Sequence, residues 1–247
     1  MSVILCSISL QLKECPMSAI KANIVDVKTR IAKTAEQADR SMLDLCLLAV
    51  SKTRTIDDIK IAADCGITNF GENYLQEALE KIVNLKSLNA CWHFIGPLQS
   101  NKTKQVAENF SWVHSVDRIK IAQRLNDQRP CELEPLNICL QVNLDNEDSK
   151  SGVSIADAPS LALAVSRLPN LKLRGLMTIP KSRFNFSDQQ QPFRQLRLLK
   201  EQINGQLDNS KKLDTLSMGM SADLEAAIFE GSTILRVGTD IFGERNK

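Results

Sequence analysis

LDLCLLAVSK, residues 43–52, is the stretch on which the fold turns. It is too short and too uniformly apolar for a surface helix, so it reads as a strand buried on both faces. Such strands sit in parallel sheets with helices packed outside, and the flanking sequence agrees. Upstream, Ile20, Ile24, Val27 and Ile31 recur at three- and four-residue spacing, which predicts a leading helix. Downstream the pattern alternates. A helix at 56–64 precedes the strand ITNFGE (67–72), and a helix opening at Asn73, with Leu75, Leu79, Ile82 and Val83 on its apolar side, precedes CWHFIG (91–96). FSWVHSV (110–116), LNICLQVNL (136–144), LKLRGLMTI (171–179), DTLSMG (214–219) and STILRVGT (232–239) follow, with helical segments from residue 101, from 117, and at 155–167, 188–204 and 222–230.

That makes eight strands separated by helices. Parallel strands need right-handed crossovers, and eight such units are the number that closes a barrel. The expected fold is therefore α/β, a single (β/α)8 TIM-type barrel with an extra N-terminal helix. An open doubly wound sheet is the alternative, but the glycine fingerprint G-x-G-x-x-G is missing after the first strand. Residues 1–17 read as an unstructured extension, with a regular pattern beginning only at Met17, and the barrel is expected over 18–247.

At 247 residues, 43% hydrophobic and 24% charged, the chain has the size of one such barrel. Its formal charge of +2, with signs interspersed, offers no field for nucleic acid or a membrane surface. No run approaches the roughly 20 apolar residues of a membrane span, and no export signal opens the chain. Seven scattered cysteines without a C-x-x-C pair fit reduced thiols in the cytoplasm. With His93 and His114 as the two histidines, a zinc site or a histidine-dependent triad has little material, and no metal is expected.

In barrels of this kind the working residues sit where strands end, and the loops after strands seven and eight often hold phosphate. After strand seven, SMGMS (217–221) offers Gly219 for close backbone approach and Ser217 and Ser221 as hydroxyls, with Ser221 placed to cap the helix at 222–230. After strand eight, RVGTDIFG (236–243) supplies Arg236, Gly238 and Thr239. Together they are the donor set a phosphate dianion requires. The plainer reading is that the glycines turn the chain and Arg236 pairs with a carboxylate.

Lys52 closes the first strand. Alternation places Cys46, Leu48, Val50 and Lys52 on the inner face, with the amine in the barrel mouth. A lysine walled by apolar groups, with Arg54 nearby, loses basicity and becomes a nucleophile that forms imines; a lysine snorkelling to solvent is the competing reading. A barrel lysine beside a phosphate cradle suits an aldehyde that carries a phosphate. Sugar-phosphate aldolases and proteins that hold pyridoxal 5′-phosphate (PLP) both qualify, and a lysine on strand one rather than strand six favours PLP.

AVSKT (49–53), FGENY (70–74), WHFIGPLQSNK (92–102), SKSG (149–152), GLMTI (175–179), SMGMSAD (217–223) and RVGTDIFG (236–243) together resemble the pyridoxal-phosphate homeostasis proteins, the YggS-type family, in order from about residue 20 to 244. The resemblance implies a barrel similar to the N-terminal domain of alanine racemase. It also implies an imine at Lys52, phosphate held around Ser217–Ser221 and Arg236–Thr239, and an intracellular carrier or buffer of PLP with no established catalysis. Apo forms of PLP-dependent enzymes are the expected recipients, and a monomer the expected state. Racemases of this fold set a second acid or base, often a tyrosine from another domain or subunit, opposite the lysine. Tyr74 is the one tyrosine here, and the chain ends shortly after strand eight, so two-base racemization lacks support. A PLP-dependent racemase or decarboxylase acting through Lys52 alone is the remaining catalytic alternative. Asn73 and His93, at or near the ends of strands two and three, are further candidates for contact with the cofactor, and His93 is as readily a satisfied core histidine. Lys150 reads as a solvated loop charge.

Overall fold

The computed structural model describes residues 18–145 and 151–244, so the expected extension at 1–17 and Lys150 lie outside the described residues. Helix α1 (Ala19–Gln37) starts where the Ser18 side chain accepts the Lys21 N–H. Eight strands follow: β1 (Cys46–Val50), β2 (Asn69–Glu72), β3 (Cys91–Phe94), β4 (Trp112–Val116), β5 (Leu136–Gln141), β6 (Leu171–Met177), β7 (Thr215–Ser217) and β8 (Ile234–Val237). They pair in parallel in sequence order, and β1 closes on β8 with Cys46 beside Ile234. Between them run α2 (Ile56–Asp64), α3 (Leu75–Asn84), α4 (Thr103–Asn109), α5 (Ile119–Gln128), α6 (Ala158–Val165), α7 (Phe186–Asn204) and α8 (Leu224–Phe229), and a short α9 (Thr239–Phe242) ends the order. The expected barrel and leading helix are the observed ones.

The strands are shorter than their apolar runs. Leu43, placed in the first strand by its hydrophobicity, is 96% exposed, in a single turn of 3-10 helix that starts where the Ser41 hydroxyl accepts the Leu43 N–H. Helix α3 begins at Leu75, two residues later than expected, and Val83 faces solvent. Outward-facing Phe70, Trp92 and Phe94 pack under the helices, as the two-residue period of strands dictates. The barrel interior is partly polar: His93, His114, Ser217 and Arg236 are all buried. None of the described helices is long and apolar enough to cross a membrane.

Candidate functional site

A cavity of about 270 Å3 opens at the C-terminal ends of the strands, and Lys52 lines it together with Val50 just below. Cys46, on the same face of β1, lines a different cavity at the opposite end of the barrel, and Leu48 is buried between them. The alternation read from the sequence thus runs up the inside of the barrel to a half-buried lysine.

The backbone on either side of Lys52 is held from behind. Thr53 has φ +64°, a left-handed conformation that a β-branched residue adopts only under constraint. Its N–H donates to Glu77 Oε1. Lys81 Nζ donates to Glu77, to Glu72 Oε1 at 2.8 Å and to the Ser51 carbonyl at 2.7 Å, while Ser51 Oγ donates to Glu72 Oε1 at 2.6 Å. Glu72 is fully buried and its Oε2 has no partner among the described residues, so burial pushes its carboxyl above the usual range, against the pull of the Lys81 cation. Neither Glu72 nor Lys81 was singled out from the sequence. The available signal was a carboxylate closing strand two, nine residues before a lysine on the apolar stripe of the next helix.

Across the mouth, Ser221, Gly238 and Thr239 line the cavity as the sequence suggested, but by different contacts. Ser221 is not the cap of α8. That helix starts at Leu224 after Asp223, whose carboxylate accepts the Met220 N–H at 2.6 Å and folds the loop. Ser221 Oγ instead accepts the Asp240 N–H at the start of α9, and its carbonyl accepts Arg30 Nη2 from α1 at 3.1 Å. Arg30 also donates to Glu225 and Asp240, so the extra N-terminal helix clamps both loops. Ser217 and Gly219 are not among the residues that line the cavity. Ser217 is buried with its Oγ bonded to Arg236 and His114, and Gly219 is needed for its φ of +92° and because a Cβ there would lie 2.5 Å from that of Ala227.

Arg236 forms the floor. It is 4% exposed, lines the cavity, and donates from Nη1 to Ser217 Oγ and from Nη2 to the Thr178 carbonyl, both at 2.9 Å. No carboxylate among the described residues pairs with it, contrary to the plainer reading of this arginine. Burial lowers its pKa to about 10, which leaves it cationic at neutral pH. Asn73 enters from the loop after β2, and its Oδ1 is buried without a partner among the described residues. Its backbone lies so close to Gly96 that a Cβ there would come within 2.2 Å of the Asn73 carbonyl oxygen. Asn73, Ile95 and Ile179 also line an adjoining lobe of about 280 Å3. His93 is placed elsewhere: it lies inside the barrel at the opposite end, 1% exposed, with both ring nitrogens bonded. It is a core histidine. A larger cavity, about 550 Å3, is at that opposite end and lacks a strand-end lysine in the mouth.

An amine for an aldehyde, a buried cation with no ion-pair partner among the described residues, a hydroxyl and amide rim, and an orphaned amide oxygen compose a site whose donors fit PLP. The fold and site define a barrel of the alanine racemase N-terminal domain class, and the family model of that description matches residues 17–246. Proteins called pyridoxal phosphate homeostasis protein are similar over nearly the whole length. The one from Pseudomonas aeruginosa is 54% identical over 93% of this chain and 97% of its own, and the one from Escherichia coli is 47% identical over 93% and 98%. PipY of Synechococcus elongatus, solved with PLP bound, superimposes with a TM-score of 0.80 at 33% identity, covering 91% of this chain and all of its own. Alanine racemase from Corynebacterium glutamicum, at 14% identity and TM-score 0.67, shares the fold over 94% of this chain and 62% of its own. The chain belongs to the pyridoxal phosphate homeostasis protein family.

Proposed function

We propose that this protein binds PLP through Lys52 and serves as a carrier or buffer of the cofactor, without turning over amino acids. The observation that carries the reading is the composition of the cavity: among its described lining residues the ionisable groups are Lys52 and Arg236 alone. When bound, PLP supplies an aldehyde for an imine linkage and a ring that withdraws electrons.

This chain's own residues do the rest. Lys52 Nζ holds the cofactor covalently, and its position is supported by the strained Thr53 turn and the Glu72–Lys81–Glu77 cluster behind it. Ser221, Gly238 and Thr239 face the phosphate, with Arg30 bracing their loops from outside. Arg236, tied down at the floor by Ser217 and Thr178, would offer its charge to the bound cofactor, and Asn73 Oδ1 would accept a hydrogen bond from it or from an ordered water. Ile95 and Ile179 wall the cleft and limit water at the linkage.

Racemization by two bases needs a second proton-handling group opposite the lysine. Tyr74 is 54% exposed and outside the cavity lining, and His93 and His114 are sealed in the core. Arg236 stays cationic and takes up no proton. Lys52 acting as the single base is the catalytic alternative. We place the protein in the cytoplasm as a monomer, with apo forms of PLP-dependent enzymes as recipients. The test loads the protein with PLP and follows two readouts: exchange of the α-hydrogen of added amino acids with deuterated solvent, and reactivation of an apo-enzyme. Reactivation with exchange no faster than free PLP supports the carrier. Rapid exchange abolished by Lys52→Ala overturns it in favour of a one-base enzyme.

A further inference from the structure

The floor arginine is joined to the far end of the barrel by an unbroken line of hydrogen bonds, buried up to a part-buried last link at Asn69. Arg236 Nη1 meets Ser217 Oγ at 2.9 Å, Ser217 Oγ meets His114 Nδ1 at 2.7 Å, His114 Nε2 meets His93 Nδ1 at 2.9 Å, and His93 Nε2 meets Asn69 Oδ1 at 3.0 Å. The five residues stand on β8, β7, β4, β3 and β2, so the line crosses the barrel interior. Trp112 stacks on His93 with centroids 5.4 Å apart and planes 10° from parallel, and it packs against His114 at 5.7 Å with planes tilted by 48°, which holds both rings in place.

The two ends determine which way every proton points. A guanidinium donates and never accepts, and an amide oxygen accepts and never donates. Asn69 presents its oxygen to His93 and turns its Nδ2 to Thr68 Oγ1, an arrangement that agrees with the order the Arg236 end imposes. His93 therefore carries its proton on Nε2, which makes its Nδ1 an acceptor. His114 must then donate from Nε2, leaving its Nδ1 to accept the Ser217 hydroxyl proton, and Ser217 turns its lone pairs to Arg236. The reverse order would leave the Ser217 hydroxyl receiving from both His114 and Arg236, with no acceptor for its own hydrogen. Burial holds both rings neutral: His93 is pushed down to about 3, and His114 falls well below its usual value by burial and by the repulsion that a second imidazolium would meet from His93 and Arg236. Other charged or titratable groups at the His93 end are Arg40, Asp44, Cys46, Arg174, Lys200 and Asp214, and Asp223 and Cys139 act on Arg236.

We propose that Asn69, His93 and His114 are positioning residues for Arg236, forming a one-directional donor chain that fixes and solvates the guanidinium with aligned dipoles. A carboxylate in the same place would cancel the charge. The chain of dipoles stabilises it and leaves it available to whatever lies on the floor of the cavity. This deepens the cofactor-binding reading and rests on it for the identity of the group that feels Arg236.

The sequence contains two histidines, so nitrogen NMR of the histidine-labelled full chain gives two ring systems that one substitution assigns. Without cofactor, from about pH 6 to 8, both rings are expected neutral with the proton on Nε2, and Ser217→Ala should shift the His114 Nδ1 resonance. A proton on Nδ1 of either ring, or an imidazolium in that range, overturns the proposal. Asn69→Leu removes the terminal acceptor and should weaken PLP binding by roughly three- to tenfold in a variant that keeps its circular dichroism, with altered tautomers. Ser217→Ala, acting at the other end of the chain, is the second variant should Asn69→Leu not fold. Unchanged affinity with altered tautomers also overturns the positioning role. Failure of the cofactor reading looks different: the tautomers are as described and the wild-type protein does not take up PLP.

Discussion

Replacing Lys81 with methionine removes the cation that the carboxylate of Glu72 meets at 2.8 Å, in a place where the two side chains are 5% and 0% exposed. Methionine fills much the same volume, so the loss is electrostatic. An uncompensated buried carboxylate costs about 3–5 kcal/mol, which in a domain of this size corresponds to a fall of roughly 10 °C in Tm. The pH dependence carries the diagnostic sign. Burial already raises the Glu72 pKa, and Lys81 is the largest influence lowering it, so the substitution raises it further. A carboxyl with a raised folded-state pKa binds its proton more tightly when folded. Its contribution is therefore most favourable below the unfolded pKa and is lost as pH rises through the folded one. Urea denaturation of wild type and Lys81→Met from pH 5 to 8 should show a deficit that widens with pH, and Lys81→Met combined with Glu72→Gln should recover most of it. A deficit under about 1 kcal/mol, or one that is flat with pH, would refute the assignment of Lys81 as the compensating charge.

Three other outcomes follow from the geometry. Gly219→Ala forces a Cβ to 2.5 Å from that of Ala227 at φ +92°, and should cost about 2 kcal/mol by thermal or chemical denaturation while leaving the Lys52 chemistry in place. Arg30→Met removes the donor to the Ser221 carbonyl; losing about 1 kcal/mol of loop bracing should weaken PLP binding about fivefold and leave binding of pyridoxal, which lacks the phosphate, unaltered. In acid, the unfolded chain protonates both histidines below about pH 6.5, whereas burial keeps His93 neutral down to about 3. These lowered folded-state values make stability fall as pH drops through that window, by up to ~1.4 kcal/mol per pH unit for each ring, and His93→Gln should flatten the curve measured by urea midpoints.

The barrel was legible because parallel strands buried on both faces give uninterrupted apolar runs, and the intervening helices carry a stripe of a different period. Strand ends were less legible: Leu43 continues the apolar run of β1, but a serine-capped turn takes it out of the sheet. Lys52 could be found because alternation along β1 fixes the side facing the barrel axis and the chain direction fixes the working end. Ser217 could not be assigned, since parity places it inside the barrel without saying that Arg236 and His114 would engage its hydroxyl. Ser221 looked like a helix cap because it precedes an apolar helical run; Asp223 folds the loop two residues later, and the Asp240 amide uses the serine instead. The Arg30 clamp spans about 200 positions in sequence and leaves no local signature. The histidine pair did leave one, two inward positions of like parity on adjacent strands.

An absorbance spectrum of the purified protein titrated with PLP shows whether Lys52 holds the cofactor through an imine. Wild type should develop a band near ~420 nm that borohydride removes, fixing the cofactor to the peptide containing Lys52, and Lys52→Ala should show neither. A band of full strength in Lys52→Ala, or none in wild type, would contradict the account.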